Sequence, residues 1–225
     1  MTDPSVSVIV PCLTEQLWQV HMTTAVINIA HSTTAISFEL VVCEAVGQSF
    51  EDGGREAMGG DLVDFYFRNP QRGFANADMN AGLDLATGDI QVLLTNDVFV
   101  KPGWLEALLE CFARFPDCGI ASLGTSDHKE TPIDVILEGF WCPLMAFRKE
   151  HHVRFDDLSF PSYWGDSDLV MRVYNQGLRA YRNRRVVCDH LGRATNTSDH
   201  VRGTPQELEA AHQRFLARHG SSEQL

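Results

Sequence analysis

The chain contains no C-x-x-C pair. Its six cysteines stand singly at 12, 43, 111, 118, 142 and 188, so the ligand spacing of a structural zinc site is missing. Cys12, Cys43 and Cys188 fall in apolar, strand-like runs, which predicts buried free thiols of a reducing cytoplasm. No run approaches the ~18 apolar residues of a membrane span. The opening MTDPSVSVIVP lacks a basic stretch leading into an apolar one, so it does not read as a secretion signal. The Asn196-Thr197-Ser198 triplet is then a chance match to a glycosylation acceptor. These absences together predict a cytoplasmic protein without integral membrane association. Positive charge is also scarce. Eighteen Lys and Arg face 30 Asp and Glu, leaving a formal net charge of −12. Such a surface repels a phosphate backbone and argues against general nucleic-acid binding, though not against a local basic patch.

The sequence also lacks internal repeats and low-complexity linkers. What is present is 225 residues, 44% of them hydrophobic, enough for one large α/β domain with a real core. The β-branched run 5–11 predicts a buried strand that stops at Pro11. Leu17, Val20, Thr24 and Ile27 recur at helical spacing within 14–31. Further strands are predicted at 38–45, 62–67 and 90–94, and a Gly-rich acidic loop at 47–61. Met79, Leu83 and Ala86 mark one face of a helix over 75–87 that Gly88 ends. Pro102 suits the first turn of a helix carrying Trp104, Leu105, Leu108 and Phe112. The later half predicts strands at 119–124, 142–148 and 186–190, and a helix over 166–177 closed by Gly177. Thr204-Pro205-Gln206-Glu207 reads as a capping box opening a last helix with Leu208, Ala211 and Phe215. Strands alternating with helices predict a mostly parallel sheet covered on both faces. We expect one domain over 1–225, with a nucleotide-binding half at 1–115 and an acceptor-facing half at 116–225.

Ligands of open α/β sheets gather at the carboxyl ends of the strands. Four predicted strand ends carry polar groups there: Thr14 with Glu15, then Glu44, Asn96 with Asp97, and Asp189 with His190. Each has an ordinary structural reading. Thr14 suits a helix cap, Glu44 a solvated strand end, Asn96-Asp97 a turn pair, and His190 a hydrogen-bonded structural histidine. Their combination points to a divalent cation and a diphosphate. Mg2+ or Mn2+ takes oxygen ligands and keeps positions open for substrate phosphates. Asp97 supplies a carboxylate in this reading, and His190 completes a manganese shell. Asp166 and Asp168 form a second acidic pair at a helix start. The helix dipole favours acids there, and Asp168 is assigned that role. Asp166 follows Tyr163 and Trp164, an aromatic setting for a sugar-like acceptor whose hydroxyl proton it would accept. Four arginines crowd residues 179–185. They read as a solvated strand edge, with a modified DNA base as acceptor the sharper alternative.

The run RNPQRGFANADMNAGLDLATGDIQVLLTNDVFVKPGWLEALL (68–109) resembles the central block of family-2 glycosyltransferases of the GT-A fold. SVSVIVPCLTE and FELVVCEAVGQ resemble that family's first two strands. WGDSDLVMRVYNQGLRAYRNRRVVCDHLG resembles the segment holding its E-D pair, D-L-x-x-R helix and late H-x-G. The resemblance covers residues 5–192. It implies a single GT-A domain with a Rossmann-like sheet, helices on both faces and a C-terminal loop and helix. It implies transfer of a hexosyl or pentosyl group, with inversion, from a nucleotide-diphosphate donor to an acceptor hydroxyl, assisted by Mn2+ or Mg2+. The acceptor is left open among a glycan, a protein, a small molecule and a modified nucleic-acid base. Carried over by position, Asp97 matches the last acid of the metal-binding D-x-D, with Thr95 and Asn96 at its first two places. Asp166 matches the general base, with Gly165 where a glutamate is usual. His190 matches the late metal or diphosphate contact. Pro11, Thr14, Glu15, Glu44, Arg72, Asn80 and Asn96 match the donor pocket, and Trp164 and Tyr163 the acceptor side. The loop from Gly192 to Gly203, with Arg193, His200 and Arg202, reads either as a lid that orders over the donor or as a disordered connector to the last helix. The rival readings are a non-catalytic GT-A-like module that holds a nucleotide or sugar, and a glycosyltransferase acting on modified DNA bases. A nucleotidyltransferase ranks below both, because PCLTEQLWQ lacks the glycine-rich turn expected after its first strand.

Overall fold

A computed structural model of the chain describes residues 5–46, 54–69, 75–126, 131–139, 143–161, 163–191 and 205–220. Four strands, β1 (Val6–Thr14), β2 (Glu39–Val46), β3 (Phe65–Asn69) and β4 (Ile90–Leu94), run parallel in the order β3-β2-β1-β4. Their residues alternate between two apolar faces. Val8, Val10, Leu40, Val42, Val92 and Leu94 pack in one core with α1 (Leu17–Ser32) and α3 (Trp104–Arg114). Ile9, Val41, Cys43 and Leu93 pack in the other with α2 (Ala75–Leu85) and α4 (Gly165–Asn175). A strand buried on both faces reads as an unbroken apolar run, which is why SVSVIV and IQVLL were visible in the sequence.

The sheet then turns mixed. β8 (Leu144–Arg148) pairs antiparallel with β4 and with β6 (Cys118–Thr125). β9 (Arg179–His190) runs parallel to β6, while the short β5 (Val98–Phe99) and β7 (Ile136–Glu138) lie antiparallel on β9. A final helix, α5 (Pro205–His219), follows. The architecture is α/β, a largely parallel sheet flanked by helices.

Several element boundaries differ from the expectations. β1 does not stop at Pro11 but runs on to Thr14. Its pairing with β4 ends at Ile9, whereas its pairing with β2 continues to Thr14. Pro11 therefore sits where only one side of β1 is laddered, the edge-like setting in which a strand tolerates a proline. β3 begins at Phe65 rather than 62, because residues 60–62 form one tight helical turn and Val63 is drawn into the core. Pro102 precedes α3 instead of opening it. Gly88 does not supply a left-handed cap. It is glycine because a Cβ there would stand 2.6 Å from the Ser7 nitrogen of β1. β9 begins at Arg179 and takes in the whole arginine-rich stretch. The capping box at Thr204 and the loop from Gly192 to Gly203 lie outside the described residues.

β4 ends at Leu94, so beyond Ile9 β1 keeps a ladder on its β2 side alone, at the carboxyl edge of the sheet. This is the topological position at which α/β sheets bind ligands.

Candidate functional site

β4 ends at Leu94, and the turn that follows carries Asp97 at the carboxyl edge of the sheet. Asp97 is 6% exposed. Val98 pairs with His190 across β5 and β9, and this brings the Asp97 carboxylate to 3.4 Å from His190 Nε2. Thr95 does not extend the ligand set as a carboxylate would. Its hydroxyl donates to Asp97 Oδ1 at 2.9 Å and orients that group. A carboxylate oxygen and an imidazole nitrogen converge from segments 93 residues apart, and both are largely shielded from water. Asp97 and His190 fit a partial shell of the kind Mn2+ accepts, the remaining positions being left to phosphate oxygens. Among the described residues no three His, Cys, Asp or Glu side chains form a full protein cage.

At the ends of β1 and β2, Thr14 and Glu44 meet each other. Thr14 is not a helix cap. It ends β1 and donates its hydroxyl to Glu44 Oε1 at 2.5 Å. The start of α1 is served instead by Gln19, whose Oε1 accepts from the backbone N–H of Glu15 at 2.6 Å and of Gln16 at 2.9 Å. Glu44 is fully buried, so a solvated strand end is also corrected. Its second oxygen accepts from the Tyr66 hydroxyl and lies 3.3 Å from Arg68 Nε. Burial without such partners would be prohibitive for a carboxylate. Burial, and then the bond to Glu44, push the Tyr66 phenol above its ordinary range. Close by, Asp78 on α2 is 5% exposed, and burial pushes its carboxyl up to about 6 against a single bond from Asn69.

Two of the amides expected in the donor pocket face inward. Asn96 donates to Thr23 Oγ1 of α1 at 3.0 Å, and Asn80 exchanges two bonds with the backbone of Phe155, at 3.0 and 2.9 Å. They pin the turn after β4 to α1, and α2 to the segment before α4. Arg72 lies outside the described residues.

The acceptor-side expectation centres on the start of α4. Asp166 lies in its first turn, half-buried. Gly165 before it is dictated by Asn76, a buried α2 residue whose Nδ2 donates to the Phe160 carbonyl at 2.5 Å. A Cβ at 165 would lie 2.1 Å from that nitrogen, so any larger residue at this place has to displace the Asn76 amide. Gly165→Ala is expected to destabilise the protein by about 1–3 kcal/mol, the cost of overpacking. Adding Asn76→Ala should recover part of the loss, because the two sites share one volume. Urea unfolding of the single and double variants checks this, and strict additivity would remove the steric explanation.

Tyr163 and Trp164 are half-buried. One face of the Trp164 indole is covered by the His212 ring of α5, at 4.4 Å and 8°. Asp168 is more than a helix-dipole acid. It is 0% exposed, accepts from Arg172 Nε and Arg218 Nη1 at 2.8 Å each, and has His219 Nε2 at 2.9 Å. Burial raises its carboxyl, and the bonds from His219, Arg172 and Arg218 outweigh that and hold it below the usual range. Trp164 itself has φ 65, a left-handed backbone that costs a bulky residue about 1–3 kcal/mol and persists only where its surroundings enforce it. Asn76, Arg218, His212 and His219 were not picked out by pattern, since nothing in a single sequence marks which polar residues will be buried together. On β9, Arg185 pairs with Glu110 and Asp134, and Arg179 with Glu138, which supports charge balance over a nucleic-acid patch. No helix among the described residues is long and apolar enough to cross a membrane.

The fold has counterparts among known proteins. No curated protein matches the chain. Among solved structures, it is similar to the mannosyltransferase PcManGT from Pyrobaculum calidifontis, in complex with GDP-Man and Mn2+. The TM-score is 0.65 at 20% identity, over 95% of this chain and 69% of that one. It is also similar to S. aureus TarS 1–349 in complex with UDP. There the TM-score is 0.62 at 14% identity, over 82% of this chain and 60% of that one. These likenesses establish the shared fold. Residues 55–165 match the family described as glycosyl transferase family 2, and the chain carries a glycosyl transferase family 2 domain of the GT-A type.

Proposed function

We propose that the protein transfers a hexosyl or pentosyl group from a nucleotide-diphosphate donor to an acceptor hydroxyl, with inversion at the anomeric carbon. The observation that carries this reading is the meeting of Asp97 and His190 at 3.4 Å at the carboxyl edge of the sheet. Asp97 and His190 would hold Mn2+ or Mg2+, which when bound neutralises charge on the departing diphosphate. Thr95 orients Asp97 through its hydroxyl. Pro11, Thr14, Glu15 and Glu44 shape the part of the carboxyl edge that takes the nucleotide. The first 115 residues supply this donor half, and the remainder of the single domain faces the acceptor. Asp166, at the opening of α4, removes the acceptor proton as the hydroxyl attacks. No described residue hydrogen-bonds its carboxylate, which leaves it available to an incoming group.

Melting the protein against a panel of GDP-, UDP-, CDP-, ADP- and dTDP-sugars, with and without Mn2+, tests the reading, because a donor stabilises the state that binds it by mass action. At least one donor is expected to raise Tm, and to do so more with Mn2+. Asp97→Asn should abolish the metal-dependent part and leave the unliganded Tm within a few degrees of the parent, since the residue sits in a turn and not in the core. If Asp97→Asn binds donor in Mn2+ as tightly as the parent, the metal assignment is wrong. A donor that binds and is never cleaved would point to a non-catalytic sugar-binding module instead.

A further inference from the structure

The C-terminal helix does not pack on the sheet. Its buried apolar residue Phe215 joins Phe160 and Met171 in a small cluster separate from the two cores, with Trp164 and Leu216 packed against it. The side chains of His212, Arg214, Phe215, Arg218 and His219 meet α4 or the segment that leads into it. His212 stacks on Trp164 at 4.4 Å, and Phe215 lies 4.9 Å from the same indole. Arg218 reaches Asp156 and Asp168 at 2.8 Å each and lies over the Phe160 ring. His219 Nε2 approaches Asp168 at 2.9 Å, and Arg214 donates to the Ser159 carbonyl at 3.0 Å.

These contacts converge on one backbone irregularity. Trp164 holds a left-handed conformation immediately before α4. A bulky residue keeps such a backbone only where neighbours hold it. On the α2 side Asn76 packs beside Gly165 and donates to the Phe160 and Pro161 carbonyls just before it. From the other side the holder is α5, through the ring stack on Trp164 and the ion pairs on Asp168. Asp166 lies between those two anchors, two residues from each.

We infer that α5 is a positioning element of the transfer site, with His212 and Arg218 as the positioning residues that fix the first turn of α4 and the direction of the Asp166 carboxylate. The inference rests on Asp166 being the base. Its mechanical content can be tested apart from that role.

The experiment uses the full chain carrying His212→Ala, His212→Phe, Arg218→Ala, Arg218→Lys or Asp166→Asn. Hydrogen exchange is read over residues 163–169, and turnover as nucleoside diphosphate released from GDP-mannose and UDP-glucose in Mn2+. His212→Ala and Arg218→Ala should exchange at least about tenfold faster over 163–169, with α2 and β4 unchanged. Turnover should fall about tenfold or more at unchanged donor affinity. His212→Phe preserves a ring on Trp164, and Arg218→Lys preserves a cation beside Asp168, so each should recover most of the parent behaviour. Unchanged exchange over 163–169, in an Ala variant whose α5 itself exchanges freely, overturns the inference. So does a His212→Phe variant as impaired as His212→Ala, because the stack would then not be the cause. If Asp166→Asn turns over like the parent while the exchange results hold, the base assignment fails and the positioning of α4 stands.

Discussion

Asp166→Asn is expected to cut turnover by ~10²–10⁴ while leaving donor binding near the parent value, the usual worth of a positioned general base. The substitution is nearly isosteric, and the residue is half-buried at a helix start with no described hydrogen-bond partner. Fold and donor pocket should therefore survive it. Donor affinity is read from the melting shift with nucleotide sugar and Mn2+, and turnover from nucleoside diphosphate release. A parallel loss in both readouts would move Asp166 into the donor pocket. A loss in neither would leave the domain without an identified base.

Asp168→Ala is expected to have the largest effect on stability. It removes the carboxylate that Arg172, Arg218 and His219 share, and leaves two cations and an imidazole around a vacated buried site. The expected loss is about 2–3 kcal/mol, less than for breaking a fully buried pair, because Arg172 and Arg218 are 35% and 37% exposed and can turn to water. The pH dependence follows from the same contacts. Asp156 and Asp168 both have carboxyls held below the ordinary range, Asp156 at about 2. For Asp156, burial opposes the shift, and bonds from Ser159 and Arg218 produce it. A folded value below the unfolded one means that the contribution is present above the unfolded value of 3.8 and is lost as pH falls toward the folded value. The parent should therefore lose stability in acid, between about pH 4 and pH 2, and Asp168→Ala should lose less over that window. Urea unfolding at pH 7, 4 and 3 measures both. Equal acid sensitivity in parent and variant would show that the Asp168 contacts contribute nothing to it.

How far the sequence led differed from element to element. β2, β4 and α3 were readable because they are buried by their own pattern, apolar on both strand faces or along one broad helical stripe. β5 was not, since two residues carry no period. Its existence depends on β9 arriving beside it. The start of β3 slipped because Leu62 and Val63 are apolar for another reason, the anchoring of a tight turn. At the site, Asp97 and His190 stood out by their places at strand ends and Asp166 by its aromatic neighbours, and order and spacing that resemble a family gave them roles. Polar residues near the carboxyl edge are the instructive cases. Glu44, Asn80 and Asn96 sit where a donor contact was expected, yet their polar atoms are engaged by Thr14, Tyr66, Arg68, Phe155 and Thr23. Asp168 looked like a helix-start acid and is the hub of the α5 contacts. Whether a polar side chain faces a ligand or a neighbour depends on which segment lies opposite, and that is a property of the folded chain.

The short pair of β5 and β9 has a consequence for how the protein comes into being. β1 to β4 lie within the first 94 residues and pair with one another in the parallel part of the sheet. As the chain leaves the ribosome these strands emerge first and can assemble early. Asp97 is then already in its turn, but its partner has not been made. His190 reaches it only when the ninth strand has been synthesised and has crossed over to lie against Val98. A nascent chain halted short of that strand would hold the first four strands with half of its proposed metal pair. Cation binding by the proposed pair would in this way be deferred until most of the domain has been translated.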